Sequence, residues 1–145
     1  ISGVGVEDSY MKILSNYSVG AIAGCVHGSS IKLKIDECYA GEDVAAILRN
    51  LERHPAPAAR DAAQAICQMA PFSLCVALAA LRAAAREPAL ARVLQRDLVM
   101  AERMIGRPDF REGVRARLLD RNQPRWNPAR LDAVDPRDVA WTLAL

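Results

Sequence analysis

Three acidic pairs, Asp36/Glu37, Asp97/Glu102 and Asp109/Glu112, sit at spacings suited to shared work on a helix. Two carboxyl groups in a desolvated pocket can divide into a general acid and a general base, so each pair is a candidate for proton-transfer chemistry. Nothing in the flanking residues marks such a pocket. Asp109 and Glu112 also have a simpler expected task as a capping box, the first carboxylate accepting from the free backbone donors of a helix start. Ser73 has only His54 as a nearby base in sequence, which is no nucleophile–base pair. Cys25, Cys38, Cys67 and Cys75 form no CxxC, and neither His27 nor His54 stands at metal-ligand spacing to them. Free, mostly buried thiols are expected, and with them a reducing compartment, read as the cytoplasm. Phosphate-cradling patterns of the GxxxxGK[ST] or GxGxxG kind are absent.

Arginine is the other concentrated chemistry. Ten lie in 86–125 (Arg86, Arg92, Arg96, Arg103, Arg107, Arg111, Arg115, Arg117, Arg121 and Arg125), against six acids in the same stretch. Arg92, Arg96, Arg103 and Arg107 share one helix face. The ordinary reading is a solvated face laced with i,i+4 pairs; the functional one is a surface for phosphate oxygens, which guanidinium forks match. Interleaved acids and a net charge of only +2 argue against nucleic acid as a partner. The uncharged run 17–31 is broken by glycines, serines and His27, too short and polar for a membrane span. No signal-peptide pattern opens the chain. Because it starts at Ile1 without methionine, the 145-residue chain is expected to be a fragment or a processed piece.

The elements that must position these groups are helical. Residues 1–30 form a poorly defined segment or linker, with a short amphipathic helix over 6–17, and a further short helix is expected over 31–38. Val44, Ile47, Leu48 and Leu51 fall at the spacing of one helix face, which His54-Pro55-Ala56-Pro57 ends. An Ala-rich helix follows with Ala59, Ala62, Ala63 and Ile66 inward. Pro71 opens a third helix, with Leu74, Leu78, Leu81 and Ala85 as its expected seam. Pro88 opens a fourth, with Leu90, Leu94, Leu98, Ala101 and Ile105 as its stripe and Gly106 as its stop. Asn127-Pro128 and Asp135-Pro136 each read as a cap before a first-turn proline. Trp126 and Trp141 are expected as core anchors. No segment alternates with period two, so the fold class is all-α, a small helical bundle, organised as a segment 1–30 and a helical domain 31–145.

The order of motifs resembles the C-terminal segment of the crotonase (enoyl-CoA hydratase/isomerase) superfamily, and its 3-hydroxyisobutyryl-CoA hydrolase branch in particular. Met69-Ala70-Pro71-Phe72-Ser73-Leu74 is similar to that branch's M-S-P-x-S-L turn, with Ala70 in the serine's place. Asp109-Phe110 with Glu112-Gly113-Val114-Arg115-Ala116 is similar to D-F-x-E-G-V-R-A, and Pro124-Arg125-Trp126 with Pro128-Ala129 to P-x-W-x-P-A. The resemblance runs over about 34–145. It implies a helical portion that covers or buttresses an active site, without the α/β spiral core that carries the catalytic groups. Carried over residue by residue, it assigns no catalytic residue to this chain. It implies an acyl-CoA thioester as substrate of the complete enzyme, CoA being part of the substrate with no separate cofactor and no metal, and a catalytic core or other subunits as partners. It also implies one CoA-phosphate contact, Arg121, one position from the family's basic residue, because Asp120 occupies the lysine slot.

Overall fold

The computed structural model describes residues 37–145. The expected segment 1–30 and the helix over 6–17 lie outside the described residues; of the helix expected over 31–38, residues 37–38 are described and are helical. The chain divides after Gln68 into two compact units. Among the described residues there is no strand, as the sequence pattern requires, and no single helix is long and apolar enough to cross a membrane.

In the first unit, Asp43 caps α1 (Val44–Arg53), its carboxylate accepting from the Ala46 N–H at 2.6 Å. Val44, Ile47 and Leu51 are its buried residues. They sit on the face by which α1 packs against α2 (Pro57–Cys67), whose buried face is the small residues Ala59, Ala62 and Ala63. Small residues let the two backbones approach closely. His54 ends α1 in an extended conformation, and its Nδ1 accepts from the Ala56 N–H at 3.1 Å, so the ring serves the turn between the helices. Gly41 is fixed by close approach: a Cβ there would lie 2.8 Å from both the Ala46 Cβ and the Ile47 backbone nitrogen.

The second unit is built on α3 (Pro71–Arg86), α4 (Leu90–Ile105), α5 (Pro108–Val114) and α6 (Pro136–Leu143). Asp135 caps α6 by accepting from the Arg137 N–H at 2.8 Å, with Pro136 in the first turn, as its sequence prescribes. α6 packs against both α3 and α4. The core is Phe72, Val76 and Val139, with Cys75, Ala79, Met100, Met104, Val134 and Leu143 around it. Thr142 is fully buried and its hydroxyl donates to the Asp138 carbonyl at 2.8 Å.

Four local expectations are corrected. The core side of α3 is Phe72, Cys75, Val76 and Ala79, at i, i+3, i+4 and i+7, while the expected seam residue Leu81 is exposed. α4 has no buried residue, and its leucine stripe faces solvent, because Met100 and Met104 supply the inward side. Trp141 is exposed; the Arg103 guanidinium lies 4.4 Å from its ring centre, so it works as a lid on that side chain rather than as a core anchor. Asn127-Pro128 begins no helix.

Candidate functional site

Arg107 sits in an extended conformation before Pro108, so α5 begins there and Asp109 falls inside the first turn instead of before it. It therefore does not cap the helix. Its side chain is buried, and Oδ1 accepts from the Asn127 N–H at 2.8 Å, 18 residues along the chain. Its Oδ2 is buried with no hydrogen-bond partner among the described residues. Glu112, one turn later on the same helix, takes three donors: Arg115 Nε at 2.7 Å, Arg115 Nη2 at 2.6 Å and the Arg125 N–H at 2.7 Å. Arg115 reaches on to Asp120. Both carboxylates thus fasten one loop, residues 120–127, back onto α5. Between the two fastenings Trp126 lies over Gly113, where a Cβ would meet its ring at 3.4 Å.

Around this clasp runs an open groove. One part, about 700 Å³, is lined by Glu112, Arg115, Asn122 and Arg125 among others; the next, about 460 Å³, shares Glu112, Arg115 and Arg125 and adds Asp109 and Arg111. The hydrogen bonds from Arg115, then the one from the Arg125 N–H, hold Glu112 down to about 2 from its ordinary 4.5. The Arg115 guanidinium is in turn held charged by Glu112 and Asp120. A carboxylate so fully engaged is a poor proton shuttle near neutral pH. The Asp109/Glu112 pair is brought together by the fold, but to hold a loop. Ser73 and His54 belong to different compact units. Among the described residues no three His, Cys, Asp or Glu side chains cluster as metal ligands.

This engagement makes stability depend on pH. Folded Glu112 binds a proton less readily than unfolded Glu112, so its contribution is present above about 4.5 and is lost as pH falls toward about 2. Acid unfolding followed by circular dichroism is expected to show a steeper loss of stability in that window for the wild type than for Glu112→Gln. Identical acid limbs would remove the clasp from the account.

The arginine face is engaged by groups of the second unit, although Arg92 stays half exposed. Arg92 and Arg96 both donate to Glu87, at 3.3 and 2.8 Å, and their hydrogen bonds lower the Glu87 carboxyl below its ordinary value. Arg103 donates to the Trp141 carbonyl and, at 2.8 Å, to the Ala144 carbonyl. Arg107 stacks 3.5 Å from the centre of the Phe72 ring. These four side chains fasten the helices of the second unit to one another, so they do not form a free phosphate-facing surface.

Arg121 is placed differently. After α5 the chain widens into a π turn, Arg115–Leu119, which closes with the Asp120 N–H donating to the Arg115 carbonyl at 2.9 Å and the Asn122 N–H to the Ala116 carbonyl at 3.0 Å. Arg121 occupies the left-handed position of this stop, with φ of 50°. Glycine is the usual residue there, since a Cβ in that conformation costs about 1–2 kcal/mol. The Arg121 side chain is exposed.

The enoyl-CoA hydratase/isomerase family profile matches residues 9–143. The chain is 35% identical over 107 residues to the mitochondrial 3-hydroxyisobutyryl-CoA hydrolase of Rattus norvegicus, covering 73% of this chain and 28% of that protein. It is 32% identical over 120 residues to small ribosomal subunit protein mS47 of Neurospora crassa, covering 75% of this chain and 23% of that one. A carnitinyl-CoA dehydratase structure from Mycobacterium thermoresistibile superposes with a TM-score of 0.74 at 32% identity, covering 95% of this chain and 42% of the other. The chain thus spans about a quarter of the length of these curated relatives. The expectation of a cytoplasmic chain is overturned, because the rat relative is a mitochondrial protein. Among the described residues Cys38, Cys67 and Cys75 form no disulfide.

Proposed function

Since the chain belongs to the enoyl-CoA hydratase/isomerase, or crotonase, family, we propose that it is the helical portion of a mitochondrial acyl-CoA hydrolase. Its substrate would be 3-hydroxyisobutyryl-CoA or a similar 3-hydroxyacyl-CoA thioester. The observation that carries this reading is the 35% identity to the rat hydrolase across 73% of the chain. The described residues contribute packing and a clasped loop, and the acids nearest to a catalytic pair are tied up in that clasp. Water activation and oxyanion stabilisation then fall to a catalytic core outside this chain. Purified chain assayed with 3-hydroxyisobutyryl-CoA is expected to release no CoA above the uncatalysed rate. Turnover near that of a complete relative would overturn the reading. Hydration of an enoyl-CoA by the chain joined to its core would move the assignment to the hydratase branch.

Within this reading Arg121 contacts the CoA phosphates of the complete enzyme. What supports it is that an arginine stands, at a conformational cost, where glycine fits better. Two substitutions separate cost from use. Arg121→Gly is expected to stabilise the chain by about 1 kcal/mol, by relieving the left-handed strain. In the complete enzyme, Arg121→Ala is expected to weaken CoA-ester binding by about 1 kcal/mol or more, the worth of a charge-assisted hydrogen bond. Unchanged affinity would leave Arg121 as surface.

A second reading rests on the ribosomal relative mS47, a member of another kind of assembly that is similar over 75% of this chain. There the chain is a non-catalytic helical module docking on a larger subunit. Pull-down of a larger acyl-CoA-binding subunit would favour it, and an isolated monomer with all helix faces satisfied would count against it.

A further inference from the structure

Arg115 and Asp120 are tied to each other twice across the π turn. The Asp120 N–H donates to the Arg115 carbonyl at 2.9 Å, and Arg115 Nη1 donates to the Asp120 carboxylate. The rest of the same guanidinium is taken by Glu112, through Nε at 2.7 Å and Nη2 at 2.6 Å. One planar fork therefore holds two acids at once. The next residue is Arg121, exposed and in the left-handed conformation, with no ion pair from its guanidinium among the described residues. A carboxylate left loose beside it would oppose a bound phosphate in two ways, by pairing with the guanidinium and by repelling the phosphate charge.

We propose that Arg115 is a positioning residue for Arg121: by taking up the Asp120 carboxylate it removes the anion next in sequence and leaves the Arg121 guanidinium open to the CoA phosphates. The inference rests on the reading of Arg121 as a phosphate contact. It also gives the π turn a task. On an ordinary α-helix, residues five apart point in widely different directions, so positions 115 and 120 would not meet. The widened turn brings them together, backbone to backbone and side chain to side chain. Lysine at 115 would not serve, because its single compact ammonium lacks the fork that engages both acids.

The test is steady-state kinetics of the complete enzyme, this chain joined to its catalytic core. The substrates are 3-hydroxyisobutyryl-CoA and the matching pantetheine thioester, which carries no phosphate. Arg115→Met is expected to raise KM for the CoA ester about threefold or more, the effect of one charge a few ångströms from a phosphate in water. Its kcat, and turnover of the pantetheine ester, are expected to stay unchanged. Adding Asp120→Asn is expected to restore KM. Adding Glu112→Gln instead, an equal change in net charge, is expected not to. Failure of Asp120→Asn to rescue, or equal rescue by both changes, overturns the proposal, since a merely structural clasp stays broken in either double variant. Should Arg115→Met lose its helical circular dichroism, Asp120→Asn alone decides: a KM unchanged or lowered is expected, and a raised KM overturns the proposal. Arg121→Ala keeps the two failures apart. An unchanged KM in that variant rejects the phosphate reading and this inference with it, whereas a raised KM without rescue by Asp120→Asn rejects only the role of Arg115.

Discussion

Phe72→Ala is expected to destabilise the second unit by about 3–5 kcal/mol, the range for emptying an aromatic site in a packed core. Phe72 is 2% exposed, and Val76, Val139 and Met104 belong to the cluster around it. Its ring also carries the Arg107 guanidinium at 3.5 Å, so removing it strips a charged group of its only described stacking surface. Urea unfolding would read the loss directly. The control is Leu81→Ala on the same helix: at 69% exposure it is expected to change stability by no more than about 0.5 kcal/mol. Equal losses for the two variants would mean that the helix is turned the other way.

Asp109→Ala is expected to cost about 1–3 kcal/mol, because it leaves the Asn127 N–H without its acceptor in a part-buried place. Asp109→Asn keeps an acceptor oxygen there and is expected to lose less. Urea titration of both variants checks the order; an Asn variant as weak as the Ala variant would mean that the charge, rather than the hydrogen bond, holds the loop.

Two helix starts were legible because they depend on local chemistry: Pro71 and Pro136 occupy first turns and Asp135 caps its helix as expected. Pro57, read only as ending α1, also opens α2, whereas Pro88, expected to open α4, lies two residues before its first residue, Leu90. α1 was legible because its only apolar face is the one that packs. α3 and α4 have apolar residues on more than one side, and periodicity does not say which side meets a partner. In α4 the methionines, not the leucines, meet the core, so the stripe read as inward points out. Asp109 misled for a related reason. The pattern D-x-x-E fits a capping box, yet Pro108 already begins the helix one residue earlier and shifts both acids inside it. What the acids then bind is a loop 13 to 18 residues away, a distance no local motif encodes. Asp43 was a readable cap passed over, being an acid directly before the first apolar residue of α1.

Tying both ends of the 115–127 stretch to one short helix makes it a hoop with a fixed base and an unburdened tip. Arg117, Leu118 and Leu119 stand exposed at that tip, while the base is kept by Asp109, Glu112 and Arg115. Sequence drift at the tip therefore leaves the hinge points undisturbed, and a dye or affinity handle grafted there would ride on the scaffold without loosening it.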